Sequence, residues 1–238
     1  MPTVNQYDQP LGDALPDWQP RERPEKRILT GGFCRLEPLS LKHSAALFTA
    51  WHSINDERDW TYFSIGRPAT SAACDTLVAG NADSGDPMHY AVIDLITGLA
   101  VGTVALMRID PANGVLEIGW VNWSPLMKRS VCGTEALFLL LNHTFDTLGY
   151  RRCEWKCHSL NQASVLAAKR MGFQYEGTFR QAVVNKGHNR DTCWYSIIDK
   201  EWPPISRALQ GWLQGDNFTA VGGQKRRLRE FMAARGGL

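Results

Sequence analysis

The stretch from Glu117 to Arg180 constrains this chain more than any other. Its centre, Ser124-Pro125-Leu126-Met127-Lys128-Arg129-Ser130-Val131-Cys132-Gly133-Thr134-Glu135-Ala136, joins the apolar run Val115 to Val121 to the helical opening Leu137-Phe138-Leu139-Leu140-Leu141. Apolar periodicity reads this as strand, short basic loop and buried helix. A loop that brings backbone N–H groups and two cations, Lys128 and Arg129, to a helix N-terminus is an anion cradle. The helix is expected to end at Leu148-Gly149-Tyr150, with Arg151 and Arg152 just beyond. A strand from Cys153 to Cys157 follows, then an N-cap signal at Asn161-Gln162-Ala163-Ser164 and a helix ending at Met171-Gly172-Phe173. The last strand, Phe173 to Arg180, carries Gly177 where a bulge or turn is expected.

Taken together these pieces resemble the acyl-CoA-binding half of a GNAT-superfamily N-acetyltransferase, of the RimJ/RimL-like, ribosomal-protein-alanine acetyltransferase type. The matching residues are Glu117-Ile118-Gly119, Thr134-Glu135-Ala136-Leu137, Asn161 with Ser164, Met171-Gly172-Phe173 with Glu176-Gly177, and Asp191 to Glu201-Trp202. No single piece is specific; their order and spacing carry the resemblance. The chain departs from the family at the glycine-rich pyrophosphate loop, where Arg129 and Val131 stand in two glycine positions and Gly133 is retained. The side chains of Lys128, Arg129 and Ser130 are the donors offered in exchange.

The fold class expected is α/β in the α+β sense, a mixed, mostly antiparallel sheet of about seven strands with helices on both faces, as the resemblance also implies. The chain has 238 residues and is 44% hydrophobic, which fits one domain with extensions. The divisions expected are a proline-rich arm over 1–30, an acyltransferase domain over 31–202, and a helix with a basic tail over 203–238. Leu15, Trp18, Ile28 and Leu29 are the anchors by which the arm could lie on the body. A formal charge of +2 gives no global field for nucleic acid or membrane, so neither partner is expected. The apolar runs are short and no charged-then-apolar leader opens the sequence, so a cytoplasmic location is expected and a membrane span is not. Oligomeric state is left open, with a homodimer among the options.

Six scattered cysteines form no C-x-x-C pair and read as reduced core residues. Cys153, Cys157 and His158 could suggest zinc, but on a strand 153 and 157 share a face that 158 does not, so no metal is expected. Cys132 near a helix N-terminus could be a redox-sensitive thiol, or simply a small residue in a tight turn. A Ser-His-Asp hydrolase is set aside for want of a G-x-S-x-G elbow.

Ahead of the central stretch, Ser40 caps a helix carrying Ala45, Leu47, Phe48 and Trp51, and a further helix is expected near 70–82. Three strands then run as hairpins, Met88 to Leu95, Val101 to Ile109 and Val115 to Asn122. The resemblance implies that the helix-loop-helix covers an acceptor site, so Trp60, Tyr62 and Phe63 are candidate pocket walls; the plain alternative is that they are core aromatics.

Acyl transfer from a thioester to an amine needs anchored phosphates, a polarised carbonyl, a base and an acid. Acetyl-CoA is the expected co-substrate and a primary amine, peptide N-terminus or small molecule, the expected acceptor. Cofactor contacts are assigned to Lys128, Arg129, Ser130, Val131, Cys132, Gly133, Thr134, Asn161 and Ser164, and to Val121 in the stretch whose backbone N–H groups would polarise the carbonyl. By resemblance Glu117 is the candidate base and Ser164 the candidate acid, because Val183 and Ala168 occupy positions where relatives place a glutamate and a tyrosine. The plain alternatives are a strand glutamate in an ion pair and simple helix capping by Asn161. Asp191 with Arg180, Lys186 and Arg190 could form a charged rim that reads the acceptor, or a solvated hairpin. Two competing classes are a non-catalytic acyl-CoA-binding module, and a nucleic-acid adaptor using Lys225, Arg226, Arg227 and Arg229.

Overall fold

The computed structural model describes residues 3–219 and 222–233; residues 1–2, 220–221 and 234–238, parts of the expected arm and tail, lie outside the described residues. In chain order it holds β1 (Leu29–Thr30), β2 (Cys34–Pro38), α1 (Ser44–Trp51), α2 (Ser71–Asp83), β3 (Met88–Asp94), β4 (Ala100–Asp110), β5 (Val115–Trp123) and α3 (Val131–Asn142). Then come β6 (Arg152–His158), α4 (Gln162–Met171), β7 (Gln174–Asn185), β8 (His188–Ile198), α5 (Trp202–Trp212) and α6 (Leu228–Ala233). Eight strands form one sheet in the order β1-β2-β3-β4-β5-β6-β8-β7, one more than the sequence suggests because Leu29–Thr30 adds a short edge strand. Every neighbouring pair is antiparallel except β5 and β6.

Alternation along the central strands decides which layer each side chain enters. On β3, Tyr90 and Val92 join the larger core beneath α3 and α5, while Ala91 and Ile93 join a smaller core with Leu47, Trp51, Trp60 and Val78 under α1 and α2. The helix ends follow local chemistry. Gly172 takes φ 96° at the C-cap of α4, a left-handed conformation that glycine reaches without strain. Beyond α3 the coil widens into a π-helical turn, His143–Thr147, a feature that periodicity does not announce.

Both extensions dock on the body. Trp18 donates its indole N–H to Ala112 O at 3.0 Å, and its ring lies between the guanidinium groups of Arg21 and Arg151, at 4.7 and 5.6 Å. Tyr150 donates to Glu22 O at 3.0 Å. Leu15 and Ile28 stay exposed, so of the four expected anchors Trp18 and Leu29 engage. At the other end α5 buries Trp202, Ile205, Leu209 and Trp212 in the larger core, and the segment expected as a solvated tail contains α6, whose Leu228 is 2% exposed.

The helix that organises the chain is fastened through one carboxylate. Buried Glu135, in the first turns of α3, accepts the backbone N–H groups of Gly32, Phe33 and Cys34 at 2.7, 2.7 and 2.6 Å. Three otherwise orphaned donors at the start of β2 are thereby satisfied. The approach is close enough that a Cβ at Gly31 would stand 2.3 Å from Glu135 Cδ. Glu135→Ala should therefore cost about 3 kcal/mol or more, lowering the thermal midpoint by roughly 6–12 °C. Gly31→Ala should destabilise through the same contact, and melts of the two variants unchanged from wild type would refute this account.

Candidate active site

β5 and β6 pair over Val115↔Arg152, Leu116↔Cys153 and Glu117↔Glu154 and then part. The cause is visible on β5, whose register with β4 shifts between Thr103 and Ala105 while Trp120 adopts φ 50°, the mark of a bulge that turns the strand away. Past the bulge the edge of β5 that faces β6 has no strand partner, so its N–H groups are available to a ligand. A cavity of about 450 Å³ opens at the parting, lined by Glu117 to Val121 of β5 and Trp155 to His158 of β6. Tyr62 and Phe63 of the α1–α2 connection, Asn161 and Ser164 at the start of α4, and Arg190, Thr192 and Trp194 of β8 complete it.

One face of the sheet carries a row of alternating charge. Arg108 Nε stands 3.1 Å from Glu117 Oε2, Lys156 Nζ lies 2.9 Å from the same oxygen and 2.8 Å from Glu154 Oε2, and Arg152 reaches Glu154 at 2.9 Å and Glu176 at 2.5 Å. Glu117 and Lys156 are both deeply buried, their side chains 6% and 7% exposed, and Lys156 also sits 3.7 Å over the Trp194 ring. Arg108 and Lys156 therefore both crowd the same oxygen, Glu117 Oε2. Burial pushes the Glu117 carboxyl above the usual carboxylate range, against the opposing pull of Lys156 and Arg108. A carboxylate so poised suits a proton acceptor.

The start of α3 follows β5 in the chain, and residues 128–134 are not among those lining this cavity. Ser130 stands at the N-cap but donates its hydroxyl to Met127 O at 2.7 Å and makes no cap, which leaves the opening N–H groups of the helix to another acceptor. Arg129, in a left-handed conformation at φ 61°, is exposed and pairs with no acidic residue among the described residues. Free amides, a helix dipole and an unpaired guanidinium fit a phosphorylated group.

The expected residues fall unevenly around this frame. Glu117, Val121, Asn161, Ser164, Tyr62 and Phe63 line the cavity. Trp60 does not: it is 4% exposed in the smaller core, packed edge-on against Trp51 at 5.1 Å. Lys128 is ion-paired with Asp59 instead of standing free at the loop. Thr134 is buried and accepts from Arg170 at 2.6 Å, while Gly133 abuts the Trp123 indole. Val131 is half-buried at the opening of α3. Burial pushes the Cys132 thiol up to about 11, so it stays protonated at neutral pH rather than becoming a reactive thiolate. Asn161 caps α4, its side-chain oxygen accepting Ser164 N–H at 3.2 Å, and Ser164 in turn accepts the Trp155 indole N–H at 3.0 Å. Ala168 is fully buried and Val183 lines the cavity as an apolar, half-exposed wall. No three His, Cys, Asp or Glu side chains among the described residues are grouped to hold a metal ion.

Lys156, Arg108, Thr192 and Trp194 were not singled out by sequence reasoning. The signal available was the alternation Arg190, Thr192, Trp194, Ser196 against the apolar Cys193, Tyr195, Ile197, which puts the first set on one face of β8. Because Lys156 holds the Glu117 carboxyl down against burial, Lys156→Met should raise its titration midpoint further. Side-chain carbon NMR of Glu117 across pH checks this, and a midpoint that falls or stays fixed would refute the role of Lys156.

The description of the family model matching residues 34–174 is "Acetyltransferase (GNAT) domain". Among solved structures the chain is similar to a GCN5-related N-acetyltransferase from Brucella melitensis, at 48% identity and a TM-score of 0.89, with 92% of this chain and 100% of that one covered. Curated relatives include uncharacterized N-acetyltransferase p20 of Bacillus licheniformis, 28% identical over 50% of this chain and 66% of its own length. A second is the ribosomal-protein-serine acetyltransferase of Escherichia coli, 31% identical over 42% of this chain and 56% of its own. The chain thus spans less than two thirds of the length of the curated relatives it matches. Its sheet, its parted central strands and these matches agree: the chain belongs to the GNAT family of acetyltransferases.

Proposed function

We propose that the protein is an acyl-CoA-dependent N-acyltransferase that transfers acetyl from acetyl-CoA to a primary amine, by direct attack within a ternary complex. The observation that carries this reading is the parting of β5 and β6, which opens a cavity lined by buried Glu117, Val121, Asn161 and Ser164. Acetyl-CoA, when bound, supplies an acyl group activated as a thioester. The opening amides of α3 and the Arg129 guanidinium are the groups fitted to hold its phosphates. The Asn161 amide keeps its NH₂ free, since only its oxygen is spent on the cap, and that NH₂ suits a carbonyl of the pantetheine arm. Freed N–H groups near Val121 are available to developing negative charge on a carbonyl oxygen.

A primary amine is protonated at neutral pH and must lose a proton before it attacks. The Glu117 carboxylate, buried in the cavity wall, is the acceptor for that proton, directly or through one water. The Ser164 hydroxyl, held by the Trp155 indole N–H, is the group we assign to hydrogen-bond the departing thiolate. The name of the Escherichia coli relative supports a protein amine as one acceptor class.

Thiol release from acetyl-CoA in the presence of an amine and peptide library tests the reading. Ser164→Ala should lower kcat at least tenfold and, by stranding the Trp155 indole N–H, also lower the thermal midpoint, whereas Trp155→Phe, which loses the same bond but keeps the hydroxyl, should lose far less activity. Equal losses of activity in the two variants would point to a structural role alone. Tight acetyl-CoA binding with no turnover on any acceptor would favour a non-catalytic module.

A further inference from the structure

We propose that the acceptor carries an acidic group and that Arg190 binds it, with Thr192 and Trp194 as its neighbours in the same site. The inference rests on the acyltransfer reading and deepens it. Arg190, Thr192 and Trp194 alternate on the cavity face of β8, and each has a buried polar atom without a partner: Arg190 Nε, Thr192 Oγ1 and Trp194 Nε1. Thr192 is 7% exposed, so its hydroxyl has no recourse to bulk water. Buried donors are seldom left unpaired, and three of them on residues along one wall of the cavity favour a ligand rich in acceptors.

Charge narrows the ligand further. The row Arg108, Glu117, Lys156, Glu154, Arg152, Glu176 alternates in sign and neutralises itself. Arg190 stands apart from it and forms no ion pair among the described residues. Its neighbour Asp191 is no counterion: the carboxylate accepts Gln181 N–H at 2.7 Å and Asn189 Nδ2 at 3.0 Å, and it lines a separate groove with Arg180 and Gln181. A guanidinium and an indole N–H are donors only, so an anion satisfies them where an amide or an ammonium leaves them short. A site built this way discriminates strongly against a ligand lacking the matching group. The chemistry is an acidic group on an amine, whether a free amino acid or a peptide with an acidic residue near its N-terminus.

The test is a panel of matched acceptors, each acid paired with its carboxamide, in one arm of free amino acids and one of short peptides. In one arm or the other wild type should prefer the acid at least tenfold in kcat/KM, and Arg190→Gln should treat acid and amide alike. Arg190→Lys, which keeps the charge without the planar fork, should retain a reduced preference. Equal rates for acid and amide in both arms, or a preference that survives Arg190→Gln, would overturn the proposal. So would a rise in the KM for acetyl-CoA in that variant with acceptor preference intact, since Arg190 would then serve the other substrate. If no amine is acetylated, the acyltransfer reading fails for this panel. Calorimetry on the CoA-bound protein then decides the present one: N-acetylated amino acids should bind at least tenfold tighter than their carboxamides, and equal or absent binding refutes it.

Discussion

Two strands that run parallel for three residue pairs and then diverge set the terms for the rest of the molecule. A parallel pair normally continues until a strand ends, because each further residue adds a ladder hydrogen bond. Here the bulge at Trp120 steers β5 off, and backbone groups that would have bonded to β6 instead face a cavity. The divergence also separates the two sheet faces functionally. Cys153, Trp155 and Cys157 turn into the larger core, while Glu154 and Lys156 join the charged row on the opposite face and His158 meets Tyr62 of the α1–α2 connection.

Burying charge at such a place is tolerable only with close partners. Lys156 meets this condition by lying between two carboxylates and beneath an indole ring, and Glu117 meets it through two cations. Each interior member of the row has a partner on both sides, so the charges are coupled rather than separate pairs. The Glu117 carboxyl is raised by burial yet kept within reach of ionisation by those same cations.

Much of this architecture was legible in the chain itself. The strand-loop-helix from Val115, the Asn161 cap, the Gly172 stop and the hairpin through Lys186-Gly187 follow from periodicity and turn chemistry and are present, although α3 ends at Asn142 and reaches the expected stop at Leu148-Gly149 only through the π-helical turn. The Gly177 bulge is present as a register shift between Tyr175 and Gly177. The site was legible only in part, since it depends on pairings between distant segments. Nothing local distinguishes Lys156 from a solvated strand lysine until Glu117, 39 positions earlier, is set beside it across β5 and β6. Asp59 claiming Lys128, and Trp51 claiming Trp60, are tertiary contacts of the same kind. The α6 helix is six residues long, too short for periodicity to register, and its stability comes from packing on α5.

The segment between α1 and α2 is stitched down at several points: Tyr62 donates to Leu160 O at 3.0 Å, Lys186 Nζ donates to Trp60 O at 2.8 Å, and Asp59 holds Lys128. Each stitch ties it to a different neighbour: the β6–α4 turn, the β7–β8 hairpin and the loop before α3. A roof pinned on three sides does not swing open as a flap. Phe179 and Val183 of the edge strand β7, which line the same cavity, stand half in water, so the cavity's apolar margin on that side meets solvent while the α1–α2 segment is held to its neighbours.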